Sequence, residues 1–133
     1  MPIEPGIFAE ISHIVTESDT AASYGSGLVR VLSTPHLIAL MENAAQAALD
    51  PYMEPGQSAV GTRVAMQHLA ATPVGMEVLV RAELLEVDRR RLRFRVEAWD
   101  ETEQVGTCEH ERFIIDTDRF MQRVEAKQRE EAG

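Results

Sequence analysis

Apolar and polar residues alternate in several segments of the chain, and this alternation predicts extended strands. In residues 91–98 charged and apolar residues take turns without a break, which is typical of a half-buried strand. Residues 58–70, 76–84 and 105–115 show a similar but less regular pattern, and residues 6–15 are rich in β-branched side chains. The sequence therefore predicts one strand near the N-terminus and four consecutive strands later in the chain.

A helical pattern separates the first strand from the other four. Thr34 is a favoured N-cap and Pro35 is favoured at the first helical position, so a helix is expected to begin there. Apolar residues follow at helical spacing, and five alanines make the helix thin enough for a sheet to pack closely against it: Ala39, Ala44, Ala45, Ala47 and Ala48. Pro51 and the turn at residues 54–56 end the helix. The polar residues 16–33 before it predict a mobile loop that could act as a lid.

The order of these elements predicts the fold. One strand, one long apolar helix and four meandering strands indicate an α+β protein in which an antiparallel sheet of about five strands wraps around a central helix, the hot-dog architecture. Residues 117–131 are expected to form a charged C-terminal helix of the same domain, which spans residues 1–133. Exposed sheet edges favour pairing with a second copy, so we expect a homodimer or a tetramer.

Composition and charge narrow the functional classes. The chain has 133 residues and a formal net charge of −9, which disfavours a nucleic-acid partner because phosphate binding depends on Lys and Arg. Cys108 is the only cysteine, so no disulfide can form within the chain. The sequence predicts neither a signal peptide nor a membrane-spanning segment. We therefore expect a cytoplasmic protein without a membrane partner.

A set of short motifs, in order and with their spacing, resembles a known family. These motifs are residues 34–42, 51–56, 60–62, His68, residues 71–73 and residues 109–112, and together they resemble the fluoroacetyl-CoA-thioesterase-like branch of the hot-dog thioesterases. The resemblance implies hydrolysis of an acyl-CoA thioester to a free acid and CoA. It implies catalytic roles and substrate-binding positions for five residues: Thr34, Glu42 and His68 as catalytic residues, and Gly61 and Arg112 as substrate-binding residues.

The same resemblance gives an expectation about the acyl group. In the fluoroacetyl-specific enzyme, bulky aromatic residues before the catalytic Thr form a lid over the acyl group, whereas residues 24–30 of this chain contain no Phe. We therefore expect a different short, medium-length or aryl acyl group.

The proposed catalytic residues also have ordinary structural interpretations. Glu42 lies among apolar helix residues, a neighbourhood that suits a general base or a nucleophile, but it could equally belong to a polar stripe with Asn43 and Gln46. Thr34 could simply cap the helix, or its hydroxyl could polarise the thioester carbonyl at the positive helix end. Pro35 has no N–H, which leaves the amides of residues 36 and 37 as candidate donors.

His68 and Arg112 have two interpretations each. A neutral His68 could assist proton transfer to the leaving thiolate, and a single strand histidine could also be structural. Arg112 could line the site or form a cross-strand ion pair. Because Thr34 and Glu42 are eight residues apart, or about 12 Å along one helix, we expect a composite site to which two subunits contribute.

The remaining candidate groups predict no metal and no cofactor, with coenzyme A entering only as part of the substrate. Cys108 lies in a strand, far from any helix N-terminus that would activate it. The four histidines show no zinc-ligand spacing. Two other functions fit the same layout, a hot-dog enoyl-CoA hydratase and a non-catalytic acyl-CoA binding protein.

Overall fold

Five strands and three helices make up the part of the chain that the computed structural model describes, residues 2–132. Two short 3₁₀ turns, Glu17–Asp19 and Asp50–Tyr52, lie between them. In chain order the elements are β1 (Phe8–Ile14), α1 (Ala21–Tyr24), α2 (Thr34–Leu49), β2 (Gln57–His68), β3 (Glu77–Asp88), β4 (Arg91–Trp99), β5 (Gln104–Asp116) and α3 (Thr117–Ala132).

The strands form one antiparallel sheet in the order β1-β3-β4-β5-β2. The three central strands are the consecutive β3, β4 and β5, whose alternating residues are buried on one face. β1 and β2 form the two edges of the sheet. This arrangement confirms the predicted α+β class with a sheet of five strands.

The long helix α2 lies on the inner face of the sheet and supplies the centre of the core. Its buried side chains pack chiefly against β3 and β1, and they are Leu37, Leu40, Met41, Ala44, Ala45, Ala48 and Leu49. A Cβ at Gly106 would lie 2.9 Å from Met41 Cε and 3.1 Å from Leu37 Cδ2, so β5 approaches the helix more closely than a side chain would allow. The absence of a side chain at residue 106 therefore leaves room for Leu37 and Met41 against β5.

The segment before α2 is more ordered than the polar pattern indicated. It contains a 3₁₀ turn and the four-residue helix α1, and a β-bridge joins Thr20 to Leu32. Thr20 Oγ1 donates a hydrogen bond to the carbonyl of Glu17 at 2.8 Å, and the Ser33 N–H donates one to the carbonyl of Asp19 at 2.9 Å. Short polar side chains satisfy the backbone locally here, which is why a polar sequence forms turns.

α3 continues directly from β5, and three of its apolar side chains are exposed: Phe120, Met121 and Val124. Among the described residues, none of the helices combines the length and apolar character that crossing a bilayer requires.

Candidate active site

The hydroxyl of Thr34 and the imidazole of His68 meet at the N-terminus of α2. Thr34 Oγ1 lies 2.8 Å from His68 Nδ1. Thr34 is the first residue of the helix and His68 is the last residue of β2, so this contact joins the helix start to an edge strand. The pair lies beside an open groove of about 450 Å³ that also contacts Val31, Pro35 and Ala71. The structure thus brings together two of the three residues to which the resemblance assigned catalysis.

Ser33, not Thr34, caps this helix, so the predicted cap was wrong by one residue. Ser33 has extended backbone angles (φ −75°, ψ 151°), and its side chain accepts a hydrogen bond from the His36 N–H at 3.1 Å. Because Ser33 performs the capping, the Thr34 hydroxyl is available to His68.

The two amides expected as oxyanion donors are engaged in the helix itself. The His36 N–H bonds to the side chain of Ser33, and the Leu37 N–H donates to the Ser33 carbonyl at 3.0 Å. Neither N–H is therefore free to donate to a thioester oxygen. The Thr34 hydroxyl is therefore the remaining donor of the predicted set.

The environment of His68 favours its neutral form. Burial lowers the pKa of His68, and a hydrogen bond with the backbone of Ala70 offsets part of this effect. A neutral imidazole at pH 7 has one nitrogen that can accept a proton. Its Nδ1 faces the Thr34 hydroxyl and its Nε2 is buried, so that hydroxyl is the group with which it can exchange a proton.

A second cluster forms midway along α2, around the carboxylate of Glu42. Arg112 Nη1 lies 3.5 Å from Glu42 Oε2. The same guanidinium donates from Nη2 to Gln46 Oε1 at 3.1 Å and to the Ala59 carbonyl at 2.8 Å. The Arg112 side chain is only 8% exposed, whereas that of Glu42 is 40% exposed. A buried cation with fixed partners therefore holds a carboxylate that solvent or a ligand can reach.

His110 orients this arginine and was missed by the sequence analysis. His110 is fully buried, and its Nδ1 lies 2.8 Å from the Arg63 carbonyl, so Nδ1 carries the proton and donates. The unprotonated Nε2 then accepts from Arg112 Nη1 at 3.1 Å. Burial lowers the pKa of His110, and the charge of Arg112 lowers it further, which keeps the ring neutral. His110 precedes Arg112 by two residues on one strand, so both face the helix.

Gly61 allows β2 to pass directly over the Glu42 carboxylate. A Cβ at residue 61 would lie 2.4 Å from Glu42 Oε2 and 3.2 Å from His110 Cε1. The β2–β5 register shifts between Gly61 and Arg63, so the edge strand is irregular at this point. The absence of a side chain at residue 61 is what gives the carboxylate its position.

Cys108 has the properties of an unreactive core residue. It is buried among the core residues, and burial raises the pKa of its thiol to about 11. A thiol with that pKa stays protonated at pH 7 and is a poor nucleophile.

The comparisons with known proteins agree with this fold and show the family to which the chain belongs. The model of the fluoroacetyl-CoA-specific thioesterase family matches residues 15–118. The fluoroacetyl-CoA thioesterase of Streptantibioticus cattleyicolor is 38% identical over 117 residues, which cover 88% of this chain and 81% of that protein.

Two solved structures extend the agreement to three dimensions. A variant of the fluoroacetyl-CoA-specific thioesterase FlK in complex with fluoroacetate and CoA superposes with a TM-score of 0.84 at 35% identity, covering 89% of this chain and 99% of that chain. A hot-dog-like protein from Thermanaerovibrio acidaminovorans superposes with a TM-score of 0.85 at 26% identity, covering 92% of this chain and 91% of that chain.

The five-stranded sheet around α2 therefore defines a hot-dog protein of the thioesterase class, and the protein is an enzyme that hydrolyses thioesters. More narrowly, the chain belongs to the fluoroacetyl-CoA-specific thioesterase family.

Proposed function

We propose that this enzyme hydrolyses an acyl-CoA thioester to the free acid and CoA, using Glu42, Thr34 and His68. The observation that carries the proposal is the pair of clusters on one helix: the Thr34–His68 hydrogen bond at its N-terminus and the Glu42 carboxylate midway along it. Family membership and the CoA complex of the FlK variant support acyl-CoA as the substrate class.

Glu42 acts on the thioester carbon, either directly as a nucleophile or as the base that deprotonates water. Its side chain is exposed enough to meet a substrate, and Arg112 fixes one carboxylate oxygen. Arg112 and Gly61 thus serve the substrate site by orienting this carboxylate. Single turnover in ¹⁸O-labelled water distinguishes the two roles, because only the nucleophilic route leaves label in the Glu42 side chain.

Thr34 acts on the carbonyl oxygen of the thioester, and His68 acts on the leaving sulfur. The Thr34 hydroxyl, at the positive end of the helix dipole, donates to the thioester oxygen as negative charge develops there. The departing CoA thiolate takes up the proton that the attacking water loses, and the neutral His68 and the Thr34 hydroxyl to which it is hydrogen-bonded relay that proton. The groove beside this pair accepts the acyl end of the substrate.

Two copies of the chain form each site. Thr34 and Glu42 are separated by about 12 Å along α2. β2 ends the sheet, and its residues 61–65 are exposed in succession rather than alternately, which suits an edge strand that is covered by another chain. We propose that β2 pairs with β2 of a second copy, so that Glu42 of one subunit faces the Thr34–His68 pair of the other. Whether such homodimers associate into tetramers is a further question for solution measurements.

The reaction, as we propose it, needs no metal and no cofactor, and coenzyme A takes part only as the leaving group. Thr34, Glu42 and His68 belong to no cluster of metal ligands among the described residues.

The acyl group differs from fluoroacetyl, because residues 24–30 present Leu28 and Val29 to solvent and contain no Phe. A cytoplasmic location stays a prediction.

A panel of acyl-CoA substrates tests this proposal directly. Release of free thiol should be seen with short, medium-length or aryl acyl groups, and fluoroacetyl-CoA belongs in the panel as the relative's substrate. Loss of crotonyl-CoA absorbance without thiol release would indicate a hydratase. Thermal stabilisation by acyl-CoA without turnover would indicate a binding protein.

A further inference from the structure

We propose that His13, Asp19 and His36 form a binding site for a divalent transition metal of the zinc type. The three residues come from β1, from the 3₁₀ turn that follows it and from the first turn of α2. Their spacing in sequence resembles no metal motif, and only the fold brings them together. The site does not depend on the proposed function.

The geometry of the three side chains matches the size of a metal site. His13 Nε2 lies 2.7 Å from Asp19 Oδ2, and His36 Nε2 lies 3.2 Å from Asp19 Oδ1. All three ligand atoms lie within 4.8 Å of one another. Ligand atoms that bind one Zn²⁺ at about 2.0–2.1 Å lie roughly 3.3 Å apart in a tetrahedral site. The three donors therefore surround a volume into which one ion fits after small adjustments.

Neighbouring groups hold the donors in the orientation that metal binding requires. The Thr16 N–H donates to Asp19 Oδ2 at 2.8 Å, and the Asp19 side chain is 6% exposed. His36 Nδ1 lies 2.8 Å from the Tyr24 hydroxyl. A proton on Nδ1 directs the lone pair of Nε2 toward Asp19, and such hydrogen bonds behind the ligands are usual in histidine metal sites.

One observation separates a metal site from a simple hydrogen-bonded network. His36 Nε2 is buried and forms no hydrogen bond of good geometry within the described residues. Both imidazole nitrogens thus lie next to the Asp19 carboxylate, but only His13 forms a hydrogen bond with it. A metal ion would satisfy all three groups at once, since each offers a lone pair.

The donor set also indicates the kind of metal and its role. Two imidazoles and one carboxylate suit Zn²⁺, Co²⁺ or Ni²⁺ better than Mg²⁺ or Ca²⁺, which prefer oxygen ligands. The His13 and His36 side chains are 30% and 20% exposed, so water can complete the coordination. The ion would tie the segment before α2 to the first helical turn, two residues beyond Thr34, and would take no part in the bond that breaks.

A titration of the tag-free, chelator-treated protein with Co²⁺ tests the proposal. The visible absorption bands of Co²⁺ should grow to saturation at one ion per chain, and their intensity should be that of a four- or five-coordinate ion. His13→Gln and His36→Gln should each weaken binding at least about tenfold, the lower limit for disturbing a ligand shell. His68→Gln is the matched control, because this histidine lies outside the cluster and its loss should leave Co²⁺ affinity unchanged.

A measurement on the wild-type chain covers the case in which a variant fails to fold. Crystals soaked in Zn²⁺ should give an anomalous peak between His13, Asp19 and His36. A peak elsewhere, no saturable binding, or equal Co²⁺ affinity in the wild type and in both cluster variants would overturn the proposal and leave a metal-free hydrogen-bonded network.

Discussion

At the residue scale, the Glu42 carboxylate depends on groups distributed over two strands and a helix. Arg112 reaches it from β5, and Gly61 leaves room for it under β2. His110 sets the orientation of Arg112 through a neutral imidazole. A buried arginine with several partners is costly to rearrange, so the carboxylate is held in one place before any substrate arrives.

Replacement of the carboxylate should remove most of the activity. Glu42→Gln keeps the shape of the side chain but can act neither as nucleophile nor as base, and we expect kcat to fall at least ~100-fold. Glu125→Gln, on the exposed surface of α3, is the matched control and should retain wild-type kcat. Thiol-release kinetics measure both, and near-normal turnover in Glu42→Gln would exclude the assigned role.

Two glycine substitutions separate the position of the carboxylate from the stability of the core. Gly61→Ala places a methyl group 2.4 Å from Glu42 Oε2, which must then move, so kcat should fall by at least about tenfold with a smaller loss of stability. Gly106→Ala instead crowds Leu37 and Met41, so its main effect should be on unfolding, by about 1–3 kcal/mol. Chemical denaturation and kinetics on both variants check this contrast. The reverse pattern would show that Gly61 has only a packing role.

The two buried histidines predict how stability depends on pH. Burial lowers the pKa of both His68 and His110 in the folded state, so the unfolded chain binds more protons below the usual pKa of about 6.5. Stability is complete above that pH and falls as the pH decreases from 6.5 toward 5. Each histidine adds a slope of up to about 1.4 kcal/mol per pH unit. Carboxylates with lowered pKa, such as Asp100, lose their contribution only near pH 4 and below.

Urea denaturation at several pH values measures this slope. His68→Asn should reduce it, because one of the two groups is removed. A free energy of unfolding that is constant or rises between pH 6.5 and 5 would contradict the neutral assignment of both rings.

Much of the site could be predicted at this scale, but only where the sequence motif itself names the residue. Thr34, Glu42, His68, Gly61 and Arg112 were singled out by the resemblance, and the structure places them in two clusters. His110 and Gln46 were not singled out, because their roles arise from contacts with Arg112. His110 is two residues away from Arg112 in the sequence, and Gln46 is 66 residues away. The contact between His110 and Arg112 could have been predicted, because residues two apart on a strand lie on the same face.

At the element scale, the residue at which α2 begins determines whether the hydroxyl of Ser33 or that of Thr34 caps the helix. Ser33 caps the helix, and Thr34 is left to bond His68. A sequence with two consecutive hydroxyl residues before a proline does not distinguish these positions, since both are favoured caps and Pro is accepted in the first turn. The error of one residue followed from this ambiguity.

Removal of the cap should destabilise the protein measurably. Ser33→Ala leaves the His36 N–H without its partner, which should cost about 1 kcal/mol and lower the melting temperature by roughly 4 °C. Ser12→Ala, an exposed hydroxyl on β1, is the control and should change stability by less than ~0.5 kcal/mol. Equal stability of Ser33→Ala and the wild type would show that Thr34 can replace the cap.

The central strands and the long helix were predictable because each has one apolar face. In β4 the alternation of charged and apolar residues matches the pattern of exposed and buried positions, and in α2 the spacing of the apolar residues predicts the buried side of the helix. The segment before α2 has no such face. Its turns depend on local hydrogen bonds of Thr16, Asp19 and Thr20, which polarity alone does not indicate.

At the scale of the whole molecule, the proposed composite site requires a second copy of the chain. The Thr34–His68 pair and Glu42 lie at different points of one helix, and the edge strand β2 meets the helix at both points, through His68 and through Gly61. The separation of about 12 Å between Thr34 and Glu42 could already be predicted from the sequence, because both residues fall in the predicted helix. The position of β2 at the edge of the sheet could not be predicted, because it depends on the order of the strands in the folded sheet.

The composite site is tested most directly by combining two inactive variants in one dimer. Glu42→Gln and His68→Ala are co-expressed with different tags, and the heterodimer is purified. One of its two sites then contains both substitutions and the other contains neither. The heterodimer should therefore recover about half of the wild-type kcat, as the twofold symmetry requires. A heterodimer of Glu42→Gln with Glu42→Ala has no intact site and should stay inactive. If the first heterodimer is no more active than its parents, or if a monomer is fully active, each chain carries its own complete site and the account is wrong.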